Sequence, residues 1–398
     1  MTHSFTPSRR RFLKALGSTA LALPSLALPG FVTAAGANPR GGNILVLVEL
    51  AGGNDGLNTL IHRRDPAYRA LRPTLAIPER YALGLDRDTA LHPAMGAMAG
   101  LWEDGDLQIV EGVGYPNPNR SHFRSIEIWN SGQGADGRTR DGWVSAAFTE
   151  GAGAEDADGL VLGGDFGPLA GEGRFAAIRD PELFADNHGH LPQAGHATRP
   201  GGARASLDHI LSAYDSAQVT GEAILRRLER SPARPFPFPD SEIGRQLENA
   251  ARLLEAGLDV SVLKVVQDGY DTHDGQADAH WGLLEDLSDA LGAFADALRQ
   301  IGIWEKVSVV TYSEFGRTAA ENASAGTDHG TAAPLFIAGG AVRGGLGGAR
   351  PSLTELVDGE MVHSTDYREV YNALLSDLWG IDPVFEAQTE RDLRILDL

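Results

Sequence analysis

Apolar positions along the chain fall into two patterns. Short continuous runs occur at Asn43–Leu50 (NILVLVEL), Leu107–Val113 (LQIVEGV), Val262–Val266, Val307–Tyr312 (VSVVTY) and Pro334–Ala338. Such runs, bounded by turn residues, predict strands buried on both faces of a sheet. Stripes at three- and four-residue steps occur at Ile243, Leu247, Ala250 and Leu254, and again at Trp281, Leu284, Leu287, Leu291, Phe294 and Leu298. These predict amphipathic helices, the second of about five turns. The order strand, helix, strand from Val262 to Tyr312 predicts a right-handed parallel crossover, so the segments after its two strands share one edge of the sheet.

Polar segments adjoin the ends of these runs. Asn43–Leu50 leads into Ala51-Gly52-Gly53-Asn54-Asp55-Gly56, where the glycines permit close backbone approach. Asp55 there reads either as a ligand or as part of an ordinary Asp-Gly turn. Leu107–Val113 leads into YPNPNRSHFRS at 115–125 and then a helix start at Ile126–Trp129. Ser121, beside His122, Arg120 and Arg124, reads as a nucleophile with anion-binding neighbours at a helix N-terminus, or as a helix cap, and local sequence favours the cap. Val262–Val266 is succeeded by Asp268 to Asp274, with Asp271 and His273 in it. Val307–Tyr312 is succeeded by Ser313, Glu314, Phe315, Gly316 and Arg317, and Asp328 and His329 precede the run at Pro334. If the early strands join the crossover in parallel, these polar clusters meet at the carboxyl edge of a doubly wound sheet, where such sheets carry their sites.

Other stretches carry less chemistry. Pro66–Pro93 reads as a covering segment, with His62 and His92 near its ends as packing or surface histidines. Residues 130–240, rich in Gly, Ala and Asp, read as an insertion over the sheet, with one helical pattern at Leu207–Leu228 and a stiff connector at Pro235–Pro239. His188, His190 and His196 lie close together without a regular element to hold them at ligand spacing.

Composition narrows the field. Hydrophobic residues make up 42% of 398, which is globular, and a net charge of −20 disfavours nucleic acid or an anionic membrane surface as a general partner. A small anionic substrate would need local help, which a bound cation can give. Cysteine is absent, which excludes disulfides, thiolate metal sites and a cysteine nucleophile. Ser8-Arg9-Arg10-Arg11-Phe12-Leu13-Lys14, then the Ala/Leu-rich stretch Ala15–Ala35 and small residues at Ala35-Gly36-Ala37, form a twin-arginine export signal. Gly17, Pro24 and Pro29 interrupt its apolar part, which argues against a stable membrane span. The expected division is therefore a signal peptide at residues 1–37, read by the twin-arginine export machinery, and a folded domain at 38–398. Removing the first part takes the net charge from −20 to −24.

The segments GGNDGLNT (52–59), YPNPNRSHFRS (115–125), DTH (271–273), SEFGRT (313–318) and GTDHG (326–330) resemble the bacterial twin-arginine-exported family catalogued as domain of unknown function 1501, within the alkaline phosphatase/sulfatase superfamily. The resemblance runs over nearly all of residues 43–380. It implies an α/β three-layer sandwich around a mostly parallel sheet, a periplasmic or secreted location, and a divalent cation, Zn²⁺, Mn²⁺, Mg²⁺ or Ca²⁺. It casts Asp55, Asp271, His273, Glu314, Asp328 and His329 as metal ligands, and Ser121, His122, Arg124 and Arg317 as catalytic or anion-binding groups. Phe315 departs from it, since many relatives carry a ligating histidine there and phenylalanine cannot ligate.

Two functions are compatible with these residues. One is an exported metal-dependent hydrolase of a phosphate or sulfate ester. The other, which Phe315 supports, is a non-catalytic periplasmic protein that keeps the fold for binding or envelope assembly.

Overall fold

The nine-stranded sheet that the apolar runs build is the frame of the molecule. The structure, a computed structural model, describes residues 42–148, 156–179, 181, 221–222, 224, 226–227, 235–387 and 393–397. The export signal, the three histidines at 188–196 and nearly all of Leu207–Leu228 lie outside the described residues. In chain order the strands are β1 (Ile44–Ala51), β2 (Leu60–His62), β3 (Leu83–Gly84), β4 (Thr89–Leu91), β5 (Leu107–Gly114), β6 (Ala157–Val161) and β7 (Phe175–Ala177). They continue with β8 (Val260–Asp268), β9 (Val307–Tyr312), β10 (Ala333–Ala338), β11 (Gly345–Gly348) and β12 (Thr365–Asp366). β2, β4 and β3 form a separate small antiparallel sheet.

The large sheet runs β11-β5-β10-β9-β1-β8-β6-β7, with β12 also on β5. β1 lies at its centre, parallel to β8 on one side and β9 on the other, so Val48 faces Val265 and Thr311. β10 is antiparallel to both of its neighbours, which leaves β5 running in the same direction as β1. One reversed strand in an otherwise parallel sheet has a useful consequence. The loops that leave β1, β5, β8 and β9 emerge at one edge, and the loop that enters β10 arrives at that same edge.

Side chains alternate across the sheet, as its pleat requires. Val46, Val48 and Leu50 of β1 enter one apolar layer with helices α3 (Gly96–Asp104), α6 (Glu242–Glu255) and α7 (Gln276–Ile301); α1 (Gly56–Thr59) and α2 (Pro66–Leu71) precede these in the chain. Leu45 and Leu47 enter the opposite layer with α4 (His122–Ser131), α5 (Trp143–Ala147) and α8 (Tyr367–Trp379). This is the expected three-layer α/β sandwich. Each fully buried Leu or Val contributes about 1.5–3 kcal/mol relative to exposure. Side chains cap some of the helices: Ser241 accepts from the Gly244 N–H at the start of α6, and Asp366 from the Arg368 N–H at the start of α8.

One expectation is corrected. β6 and β7, within the stretch read as an insertion over the sheet, extend the sheet itself by parallel pairing on β8. Their five and three residues include a glycine and several alanines, too short and too small to show as apolar runs. Among the described residues, no helix is long and apolar enough to cross a membrane.

Candidate metal centre

At the carboxyl edge, three loops are drawn together by Arg317, which comes after β9. Its Nε donates to the Gly53 carbonyl at 2.7 Å, Nη1 to the Thr327 carbonyl at 2.9 Å, and Nη2 to the Gly52 and Tyr270 carbonyls and to Asp271 Oδ1, the last at 2.6 Å. The guanidinium is fully buried. Its five hydrogen bonds all go to protein oxygens. The sequence placed Arg317 among substrate-facing groups; burial and five internal acceptors make it the clamp of the site instead. Gly52 and Gly53 adopt positive φ values of 117° and 82°, and a Cβ on Gly53 would collide with the Phe315 ring, so glycine is required at this close approach.

Around Asp271 the ring nitrogens converge. His273 Nε2 lies 3.1 Å and His329 Nε2 3.2 Å from Asp271 Oδ1, and those two nitrogens are 2.9 Å apart. His122 Nε2 lies 3.5 Å from Asp271 Oδ2. His122, Asp271 and His329 offer ligand atoms that all lie within 4.8 Å of one another. Burial alone would raise the Asp271 pKa, but hydrogen bonding to and the charge of Arg317, with His329 and His122, hold it below the ordinary carboxylate value. An ionised carboxylate facing imidazole lone pairs is the donor set of a divalent cation, and imidazole with carboxylate suits Zn²⁺ or Mn²⁺ better than Ca²⁺ or Mg²⁺, whose ligands are oxygens.

The other expected residues divide. Glu314 and Asp328 reach the cluster through histidines: Glu314 Oε1 is 2.8 Å from His122 Nδ1, and Asp328 Oδ1 is 3.1 Å from His273 Nδ1. Ser121 is the N-cap residue of α4 by position, yet its side chain makes no capping hydrogen bond and is exposed. Arg124 turns away: it bonds Glu127 at 3.1 Å and the Ala135 and Gly137 carbonyls, and lines a separate cleft with Asn130, Arg138 and Asp165.

Asp55 stands apart from this group. It is 1% exposed and accepts from Arg72 Nη1 at 2.6 Å, Arg72 Nη2 at 3.0 Å and Gln276 Nε2. Both carboxylate oxygens are engaged in a buried ion pair, which sets Asp55, expected as a ligand, apart from the imidazole cluster. Arg72, wholly buried, was missed in the sequence because an arginine in a proline-rich covering segment reads as surface. Behind this pair, His280 Nε2 contacts Asn54 Oδ1 at 2.9 Å, and the His92 ring lies 6.0 Å from that of His280. Burial holds His280 down at about 4 and His92 at about 3, against an ordinary 6.5. Phe315, 2% exposed, packs its ring 4.9 Å from that of His122 and 4.6 Å from that of His329. The position where an imidazole was expected is thus a wall against which two imidazoles stand.

Comparisons with known proteins extend this picture. No curated protein matches the chain. Among solved structures it resembles the lipoteichoic acid synthase LtaP from Listeria monocytogenes, at 11% identity and a TM-score of 0.36, over 77% of this chain and 67% of that one. A protein in the alkaline phosphatase superfamily from Vibrio parahaemolyticus gives 9%, 0.40, 85% and 66%, in the same order. The C-terminal periplasmic domain of EcEptC from Escherichia coli, in complex with Zn, gives 10%, 0.37, 89% and 92%. These likenesses are too remote to carry function. The motifs at 52–59 and 115–125 lie outside the one family match, which covers Asp271, His273, Glu314, Arg317, Asp328 and His329. Over residues 205–388 the chain matches the family described as Protein of unknown function (DUF1501).

Proposed function

We propose that the protein is an exported, metal-dependent hydrolase of a phosphate or sulfate ester, with one divalent cation held at Asp271 by His329 and the neighbouring imidazoles of His122 and His273. The observation that carries this reading is the meeting of His273 Nε2, His329 Nε2 and Asp271 Oδ1 at mutual distances of 2.9 to 3.2 Å. Nitrogen lone pairs and a carboxylate at that spacing repel unless a proton or a metal cation lies among them, and imidazole nitrogens with a carboxylate are a donor set that divalent zinc accepts. When bound, such a cation supplies charge stabilisation for the ester oxygens and activates a nucleophile.

The chain's own groups support the rest. Ser121 carries an uncapped, exposed hydroxyl next to His122 at the start of α4, where backbone N–H groups favour an anion. Arg317 fixes Asp271 and closes the floor of the site without touching substrate. The twin-arginine signal, which serves proteins exported already folded, suits a cofactor inserted before export and motivates a periplasmic or secreted location. The reading is tested with the mature chain, stripped with a chelator and reloaded with Zn²⁺ or Mn²⁺, on aryl phosphate and aryl sulfate esters. Metal-dependent turnover that falls at least tenfold in Ser121→Ala is expected; a metal-loaded chain inert toward both ester classes would favour the binding-protein alternative.

A further inference from the structure

We propose that Glu314 is a positioning residue, not a metal ligand, and that by fixing one tautomer of His122 it makes that imidazole a ligand of the cation. The inference rests on the metal-centre reading above. Its argument is the fate of the second ring nitrogen. His329 Nδ1 lies 2.8 Å from the Arg120 carbonyl oxygen, His122 Nδ1 lies 2.8 Å from Glu314 Oε1, and His273 Nδ1 lies 3.1 Å from Asp328 Oδ1. A carbonyl or carboxylate oxygen only accepts, so each Nδ1 carries the hydrogen. All three Nε2 atoms face Asp271, and a ring that is neutral with its hydrogen on Nδ1 would offer a bare Nε2 to a cation there. Histidines that bind metals are oriented in this way by an oxygen on the far nitrogen.

Glu314 is itself held for this task. Its Oε1 also accepts from the Gly52 N–H at 2.9 Å, its Oε2 lies 3.3 Å from Ser313 Oγ, and the residue is 4% exposed. Oε1 is thus engaged by His122 and Gly52 and Oε2 lies against Ser313, while the residues whose ligand atoms cluster are His122, Asp271 and His329. The next residue, Phe315, bounds the same imidazole from its face. One tripeptide after β9 thus sets His122 in both rotation and tautomer, although His122 comes from another strand's loop.

The geometry separates this role from direct ligation. A glutamine at 314 keeps an oxygen that accepts from His122 Nδ1 and Gly52, and its amide can donate to Ser313 Oγ, whereas a ligating carboxylate would lose most of its affinity for the ion as an amide. The experiment titrates zinc ion alone, against a competing chelator, into the metal-free mature chain as wild type, Glu314→Gln, Glu314→Ala and His122→Ala. It also reads the ¹⁵N resonances of the histidine rings in the metal-free wild type and Glu314→Gln. Expected are a loss of affinity of about 10–100-fold in Glu314→Ala, recovery to within a few-fold of wild type in Glu314→Gln, a loss in His122→Ala at least as large, and an Nδ1–H tautomer for His122. Glu314→Gln as weak as Glu314→Ala, wild-type affinity in His122→Ala, or an Nε2–H tautomer would overturn the proposal. If Glu314→Ala fails to fold, the tautomer and the glutamine variant decide. A wild type that binds no zinc yet shows the Nδ1–H tautomer would refute the metal centre while leaving Glu314 as the group that orients His122.

Discussion

Replacing Asp55 by Asn separates a structural carboxylate from a metal ligand. In the folded protein Arg72 is wholly buried and Asp55 is 1% exposed, and the pair makes two direct hydrogen bonds, at 2.6 and 3.0 Å. Burial by itself would raise the Asp55 pKa, but the charge of Arg72, its hydrogen bonds, His280 and Gln276 together bring it from 3.8 down to about 2. That difference corresponds to about 2.5 kcal/mol favouring the ionised form in the fold. Removing one member of a buried pair costs about 3–5 kcal/mol, because the partner's charge is left uncompensated. The first figure counts only neutralisation. Asn also turns an NH₂ group toward Arg72 or Gln276, so the larger figure is the better guide, and Asp55→Asn is expected to lose about 3 kcal/mol or more at neutral pH. The lowered pKa sets the sign with pH. The pair's contribution is complete above 3.8 and is lost as pH falls through about 2, so wild type and variant converge in that window. Urea unfolding tracked by tryptophan fluorescence at pH 7 and pH 3 measures both, and elemental analysis of the same samples should give equal metal. A variant as stable as wild type, or one that keeps its stability and loses its metal, would refute the reasoning.

Arg317→Lys tests the clamp: an ammonium has three donors where five oxygens are now satisfied. At least two of these oxygens lose a donor, at up to about 1–3 kcal/mol for any left without another partner, and both the urea midpoint and zinc affinity should fall together. His280→Gln tests the buried imidazoles. Wild-type stability should decline as pH falls from 6.5 toward 4, because the unfolded chain binds a proton that the folded His280 refuses, and the variant should show a shallower decline over that range by thermal unfolding. On the export-signal reading of residues 1–37, Arg9→Lys combined with Arg10→Lys should retain the precursor in the cytoplasm on fractionation; undiminished export would sink that reading.

The central strands were legible because a strand buried on both faces must be apolar throughout, and Ile44–Ala51, Val260–Asp268 and Val307–Tyr312 differ from the expected runs only at their ends. The edge on which chemistry gathers was legible for the same reason: each polar cluster adjoins the end of such a run. Which polar group meets which was not. Glu314 bonds His122 across 192 positions, and Asp55 bonds Arg72 from a segment that carried no apolar signal. Asp55, Glu314 and Asp328 therefore read as ligands beside Asp271, whereas Asp55 lies in a buried pair with Arg72 and Glu314 and Asp328 lie behind histidines. Phe315 read as a defect in the site because its neighbours were invisible; packed against two imidazole rings, it is part of the wall.

The most direct test of the metal centre is the metal content of the mature chain, purified, dialysed against a chelator and analysed beside His329→Ala. His329 Nε2 lies 2.9 Å from His273 Nε2 and 3.2 Å from Asp271 Oδ1, so its loss removes an imidazole that contacts both. One retained divalent ion per wild-type chain, and its loss from His329→Ala with the fold intact, is the predicted result. A correctly folded wild type that retains no ion, or a His329→Ala variant with unchanged occupancy, would contradict it.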